Sequence, residues 1–131
     1  MATNVAVDTP VGTLSGRDCI YLDDISFGDD ANTLILKGEL NGSLCSNAAL
    51  GSTYSYVATF HGLMAIEMLE LDSWNWSGES SFDEVQHSEW VARLGGKVTS
   101  EHRHLLFQTY DLVFNIVCSR FDFETVRLDA I

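Results

Sequence analysis

The chain reads as an α+β domain: an antiparallel, strongly curved sheet or partly open barrel of about six to seven strands with one short helix. Three observations carry that expectation. Residues 102–110 alternate, with Arg103, Leu105, Phe107 and Thr109 on one face and His102, His104, Leu106, Gln108 and Tyr110 on the other, because successive strand side chains point to opposite sides. Leu112 to Cys118 is nearly continuous apolar sequence, the pattern of a strand covered on both faces. Ser81, Phe82, Asp83 and Glu84 have the spacing of a capping box. Phe82, Val85, Trp90, Val91 and Leu94 follow on one helical face, and Gly95 and Gly96 close the segment.

At 131 residues the chain is expected to be one domain, 1–131, without internal repeats or linkers. Residues 1–17, with Pro10, Gly12 and Gly16, read as a loose N-terminal segment. Cys19 to Phe27 and Thr33 to Asn41 form a hairpin around Gly28, Asp29 and Asp30, with a loop of about five residues. Residues 44–52 are small and polar and suit a loop or a helical turn. The block 53–74 opens as a strand, TYSYVATF, and continues as GLMAIEMLELD, which is rich in helix formers. Strand is preferred for 62–71, with His61 and Gly62 as a bend in one long strand. Helix is the alternative. Phe121 and Phe123 then alternate with Asp122 and Glu124, as in a half-exposed strand.

Seven Lys and Arg stand against 19 Asp and Glu, a formal net charge of −12. Such a charge repels nucleic acid and anionic membranes and steers association toward a basic protein. The start, MATNVAVDTP, lacks a basic stretch followed by an apolar core, so no signal peptide is expected. No apolar run approaches the ~18 residues of a membrane span. Cys19, Cys45 and Cys118 form no CxxC and no metal-finger spacing, and Cys19 and Cys118 read as buried small apolar residues. A reduced, cytoplasmic protein is the expectation.

No phosphate-binding glycine loop, nucleophile elbow or basic patch is present, so no cofactor is expected and catalysis is the lesser reading. The paired carboxylates fall mostly in turns, where they solvate the surface. Trp74 and Trp76 flank a turn and suit aromatic anchors for a partner. The leading reading is an acidic interaction module whose contacts are Asp23, Asp24, Asp29, Asp30, Trp74 and Trp76. The alternative is a small-molecule-binding or metal-dependent site on the open sheet face, formed by His102, His104, Gln108 and Tyr110. In it His102 and His104 are two metal ligands, and His61, His87, Glu67 or Glu101 supplies the third. A third reading is a structural subunit that dimerises through its sheet edges.

The stretch Ser80 to Asp83, then Ser88, Glu89 and Trp90, then His102 to His104, then Thr109 to Phe114 with its strand to Cys118, resembles a set of small acidic bacterial proteins. Some of these look like immunity proteins of toxin–immunity systems. The resemblance spans residues 60–124 and implies binding of a protein, with no catalytic residues to carry over.

Overall fold

A computed structural model describes residues 2–74 and 78–128. Its strands are β1 (Thr3–Ala6), β2 (Ile20–Phe27), β3 (Thr33–Asn41), β4 (Thr53–His61), β5 (Ala65–Glu70), β6 (Phe82–Gln86), β7 (Arg103–Gln108), β8 (Leu112–Cys118) and β9 (Arg120–Arg127). A single short helix, α1 (Glu89–Arg93), accompanies them among the described residues. All pairings are antiparallel. One sheet has the order β1-β6-β7-β8-β5 and the other β2-β3-β4-β9. The expectation of a mostly antiparallel domain with one helix holds, but the strongly curved sheet or partly open barrel of six to seven strands does not. Nine strands divide into two sheets stacked face to face.

Gly62 is where the two descriptions part. It takes φ 64°, and a Cβ there would run into the Ser119 hydroxyl. Glycine adopts this left-handed backbone freely, whereas other residues pay sterically. The chain therefore leaves β4 and enters β5 in the opposite sheet, instead of continuing one bent strand. Residues 65–70 are strand, as preferred from sequence, despite their helix-forming composition.

The core is aromatic and joins the sheets. Tyr56 and Phe60 of β4 meet Phe107 of β7 at 5.8 and 6.4 Å between ring centroids. Phe82 of β6 lies 5.0 Å from Phe107, 5.3 Å from Phe121 and 5.8 Å from Phe123. These edge-on and tilted arrangements suit ring quadrupoles, and Phe60, Phe82 and Phe107 are wholly buried. Leu34, Leu36, Leu40, Phe114 and Ile116 fill the space beside them.

Of residues 1–17, expected to be loose, those from Thr3 to Leu14 are tied in. β1 adds to β6 at the sheet edge, and Val7, Val11 and Leu14 are buried. The helix also starts later than the capping-box spacing implies. Phe82 and Asp83 are fully buried because β6 is hydrogen-bonded between β1 and β7. Asp83 accepts from Ser80 Oγ and Glu79 N, both at 2.6 Å, so the carboxylate organises the turn into a strand. The helix cap is Ser88, whose Oγ accepts from Val91 N.

Gly38 in β3 is required by close approach. A Cβ there would collide with the Tyr21 carbonyl and stand 3.0 Å from the Tyr56 ring. The space left open lets the buried Tyr56 hydroxyl donate to Tyr21 O at 3.0 Å. Gly38→Ala is expected to lower unfolding stability by about 2–3 kcal/mol, as overpacking does, and Tyr56→Phe by about 1 kcal/mol. Urea melts of both variants check this, and a Gly38→Ala protein as stable as the parent contradicts it.

Candidate functional site

β2 and β5 are edge strands of opposite sheets, and hydrogen bonds bracket them at both ends. At one end Tyr110 N donates to Ile20 O at 2.8 Å and Leu71 N donates to Asp111 O at 2.9 Å. At the other, Leu63 N donates to Asn32 O at 2.8 Å. The two strands therefore run alongside one another on one flank of the molecule. Register assigns Ile25 and Phe27 to the inward face, opposite the buried Leu36 and Leu34. Ile66 and Met68 are likewise opposite the buried Ile116 and Phe114. Yet Ile25 and Ile66 are each 39% exposed, and Phe27 and Met68 each 53%. Inward-pointing apolar side chains at this exposure mean that the stacked sheets stand open along this flank.

The acidic residues singled out from sequence lie on β2 and the turn that follows it. A bulge between Leu22 and Asp24 inserts Asp23 into the edge strand, and Asp24 lies opposite Lys37 of β3. Asp29 and Asp30 occupy the exposed turn at the far end of β2, where Asp30 Oδ1 accepts from Asn32 N. Burial first, and then the negative charge of Asp23, push the Tyr56 phenol pKa up. All four aspartates are exposed. β2 thus supplies both the acidic residues and half of the apolar strip.

Trp74 does not join this flank as an anchor. Trp74 is half-buried and donates from Nε1 to Gln108 Oε1 at 2.8 Å. It packs with Leu71, Leu106, Val113 and Val85 on the outer face of the five-stranded sheet. Trp76 lies outside the described residues.

The four groups of the alternative site do not converge. Gln108 is buried, holding Trp74 and donating to Ser80 O. Tyr110 leaves the strand and stacks on Tyr21 at 5.5 Å, with the Arg17 guanidinium 5.0 Å from its ring centroid. His102 precedes β7, and its Nδ1 accepts from Thr99 N at 3.0 Å. It lines a surface groove of about 500 Å³ with Glu84, His87, Ser88, Val91 and Leu94. Among the described residues no group of three His, Cys, Asp or Glu is placed to hold a metal.

His104 has both ring nitrogens engaged: Nδ1 lies 2.8 Å from Ser88 Oγ and Nε2 lies 2.8 Å from Asn115 Oδ1. Asn115 Nδ2 donates onward to Glu67 Oε1 at 3.0 Å. Nε2–H donates to Asn115 Oδ1, while Ser88 Oγ accepts from Val91 N and, in the neutral ring, donates its own proton to Nδ1. Burial favours the neutral imidazole. Its role is to tie α1, β7, β8 and β5 together across the outer face.

Comparison with protein-family models, with curated proteins and with solved structures finds no match to the chain. The class that the structure itself defines is a two-sheet antiparallel protein with an acidic, apolar-lined open flank. No helix among the described residues is long and apolar enough to cross a membrane.

Burial lowers the His104 pKa below the ordinary imidazole value of 6.5. The folded chain then takes up this proton less readily than the unfolded chain, so stability falls as pH drops through about 6.5 and below. Urea midpoints at about pH 7.5 and about pH 5.5 should differ more for the parent than for His104→Gln. Equal shifts in the two proteins contradict the assignment.

Proposed function

We propose that this chain is a protein-interaction module that binds a basic protein along the β2–β5 flank. The observation that carries the reading is the exposure of Ile25, Phe27, Ile66 and Met68 at inward-facing positions beside Asp23, Asp24, Asp29 and Asp30. Apolar side chains at the centre of an interface give affinity, and charges at its rim speed and orient the encounter. A second copy of the chain is a poor occupant of the β2 edge. It would bring Asp23 and Asp24 against their own counterparts, and like charges directly opposed destabilise a strand pair. A basic partner meets the opposite condition. Binding of a basic toxin domain is the particular form of this function that we favour; the resemblance to immunity-type proteins implies binding of a protein. The filled aromatic interior and the dispersal of His102, His104, Gln108 and Tyr110 give the small-molecule alternative no comparable support.

Affinity capture from the source cell tests the reading. The parent chain should retain a basic protein of pI above about 9. Phe27→Ser and Met68→Ser should each weaken that binding about 10-fold or more through faster dissociation. Replacing the four aspartates by asparagine should instead slow association and remove most of its salt dependence. Because these side chains are exposed, the variants should melt near the parent temperature. Equal retention by parent and variants, or retention of no basic protein by any, contradicts the proposal.

A further inference from the structure

Two of the three buried cysteines lie side by side. Cys19, just before β2, and Cys45, just after the 3₁₀ turn Gly42–Leu44, are 26 residues apart in sequence with sulfurs 3.9 Å apart. Their backbones are joined nearby, with Asn41 N donating to Cys19 O at 2.8 Å. We propose that Cys19 and Cys45 form an oxidisable dithiol that a hydroperoxide closes to a disulfide. Sulfurs of a disulfide stand about 2.05 Å apart, so closure needs a side-chain rotation and a small shift of one segment. The segment around Cys45 is suited to that shift. It is a turn outside the named strands, held by Cys45 N to Gly42 O at 3.1 Å and by an isolated bridge to Leu14, whereas Cys19 leads directly into β2.

The order of attack follows from the surroundings. Cys19 is fully buried, while Cys45 keeps 6% exposure. The thiol–thiol contact pulls the Cys45 pKa down and pushes the Cys19 pKa up, and each sulfur also faces a backbone carbonyl, Leu44 O for Cys19 and Asn41 O for Cys45. The Cys45 thiolate attacks one peroxide oxygen, the O–O bond breaks, and the leaving hydroxide takes a proton to become water. Cys45 is left as a sulfenic acid. The Cys19 sulfur then attacks the Cys45 sulfur, the S–O bond breaks, and the departing hydroxide takes the Cys19 proton. Two thiols and one peroxide give one disulfide and two waters. The two sulfurs together lose two electrons, which the peroxide oxygens gain.

The cross-link would fasten the root of β2 to the segment that holds the N-terminal residues. Ser15 N donates to Leu44 O, Ser46 N to Thr13 O and Asn47 N to Val11 O. Its formation does not depend on the partner proposed above. In contrast, burial pushes the Cys118 pKa up to about 12, and that thiol sits within β8 in the core.

The test is hydrogen peroxide treatment of the folded protein, followed by intact mass, peptide mapping and a thermal melt. The expected product is lighter by about 2 Da and carries a Cys19–Cys45 cross-linked peptide. Its Cys118 remains a thiol, and it melts about 5 °C or more above the reduced form. Cys45→Ala should lose the mass change and leave Cys19 unmodified, while Cys118→Ala should oxidise as the parent does. Unchanged mass, oxygen added at Cys45 without a cross-link, or Cys118 reacting as fast as the pair overturns the proposal.

Discussion

The contact of Phe82 and Phe107 with the rings of the facing sheet is what the rest of the molecule depends on. Phe60, Phe121 and Phe123 close around these two residues, and Tyr56 extends the cluster along β4. Large flat rings fill the gap between sheets near β6, β7, β4 and β9, so that side is sealed. Burial of Phe82 also decides local structure. It draws residues 82–86 into the sheet, where the two strand ladders outweigh a weak local helix signal.

The same packing leaves the opposite flank unsealed. β2 and β5 bring no ring to the interior except Phe27, which is half exposed at the end of its strand. Ile25, Ile66 and Met68 stand there outside the aromatic cluster and remain partly exposed. The Asp23 bulge and the acidic turn add negative charge along β2. Edge strands of this kind are commonly guarded by charge and bulges against pairing with copies of themselves. The Asp23 bulge and the acidic turn give β2 both of these features.

Much of the fold was legible in the residues. The hairpin of β2 and β3, its five-residue connection, and the runs that became β7 and β8 follow from alternation and apolar continuity. Less legible was everything decided by distant partners. Residues 3–6 show no strong strand signal and are ordered by pairing with β6, more than seventy residues away. The Ser81 to Glu84 spacing suits a helix start in isolation, yet Asp83 spends its carboxylate on Ser80 and Glu79. For the site, the aspartates were visible as an acidic group, but nothing in a strand sequence distinguishes an edge from a centre. Nothing in the sequence therefore marked Ile25, Phe27, Ile66 and Met68 as exposed. The packing of Trp74 was hidden for the converse reason, since its partner Gln108 lies 34 residues on.

Hydrogen exchange of the chain alone and with its captured basic partner tests the central claim most directly. β2 and β5 both present an unpaired edge, so a partner seated on that flank should slow exchange at residues 22–30 and 64–70. The β1 edge, α1 and the outer face around His104 should exchange as before. Protection confined to β1, β9 or α1, with β2 and β5 unchanged, would contradict the assignment of this flank as the binding surface.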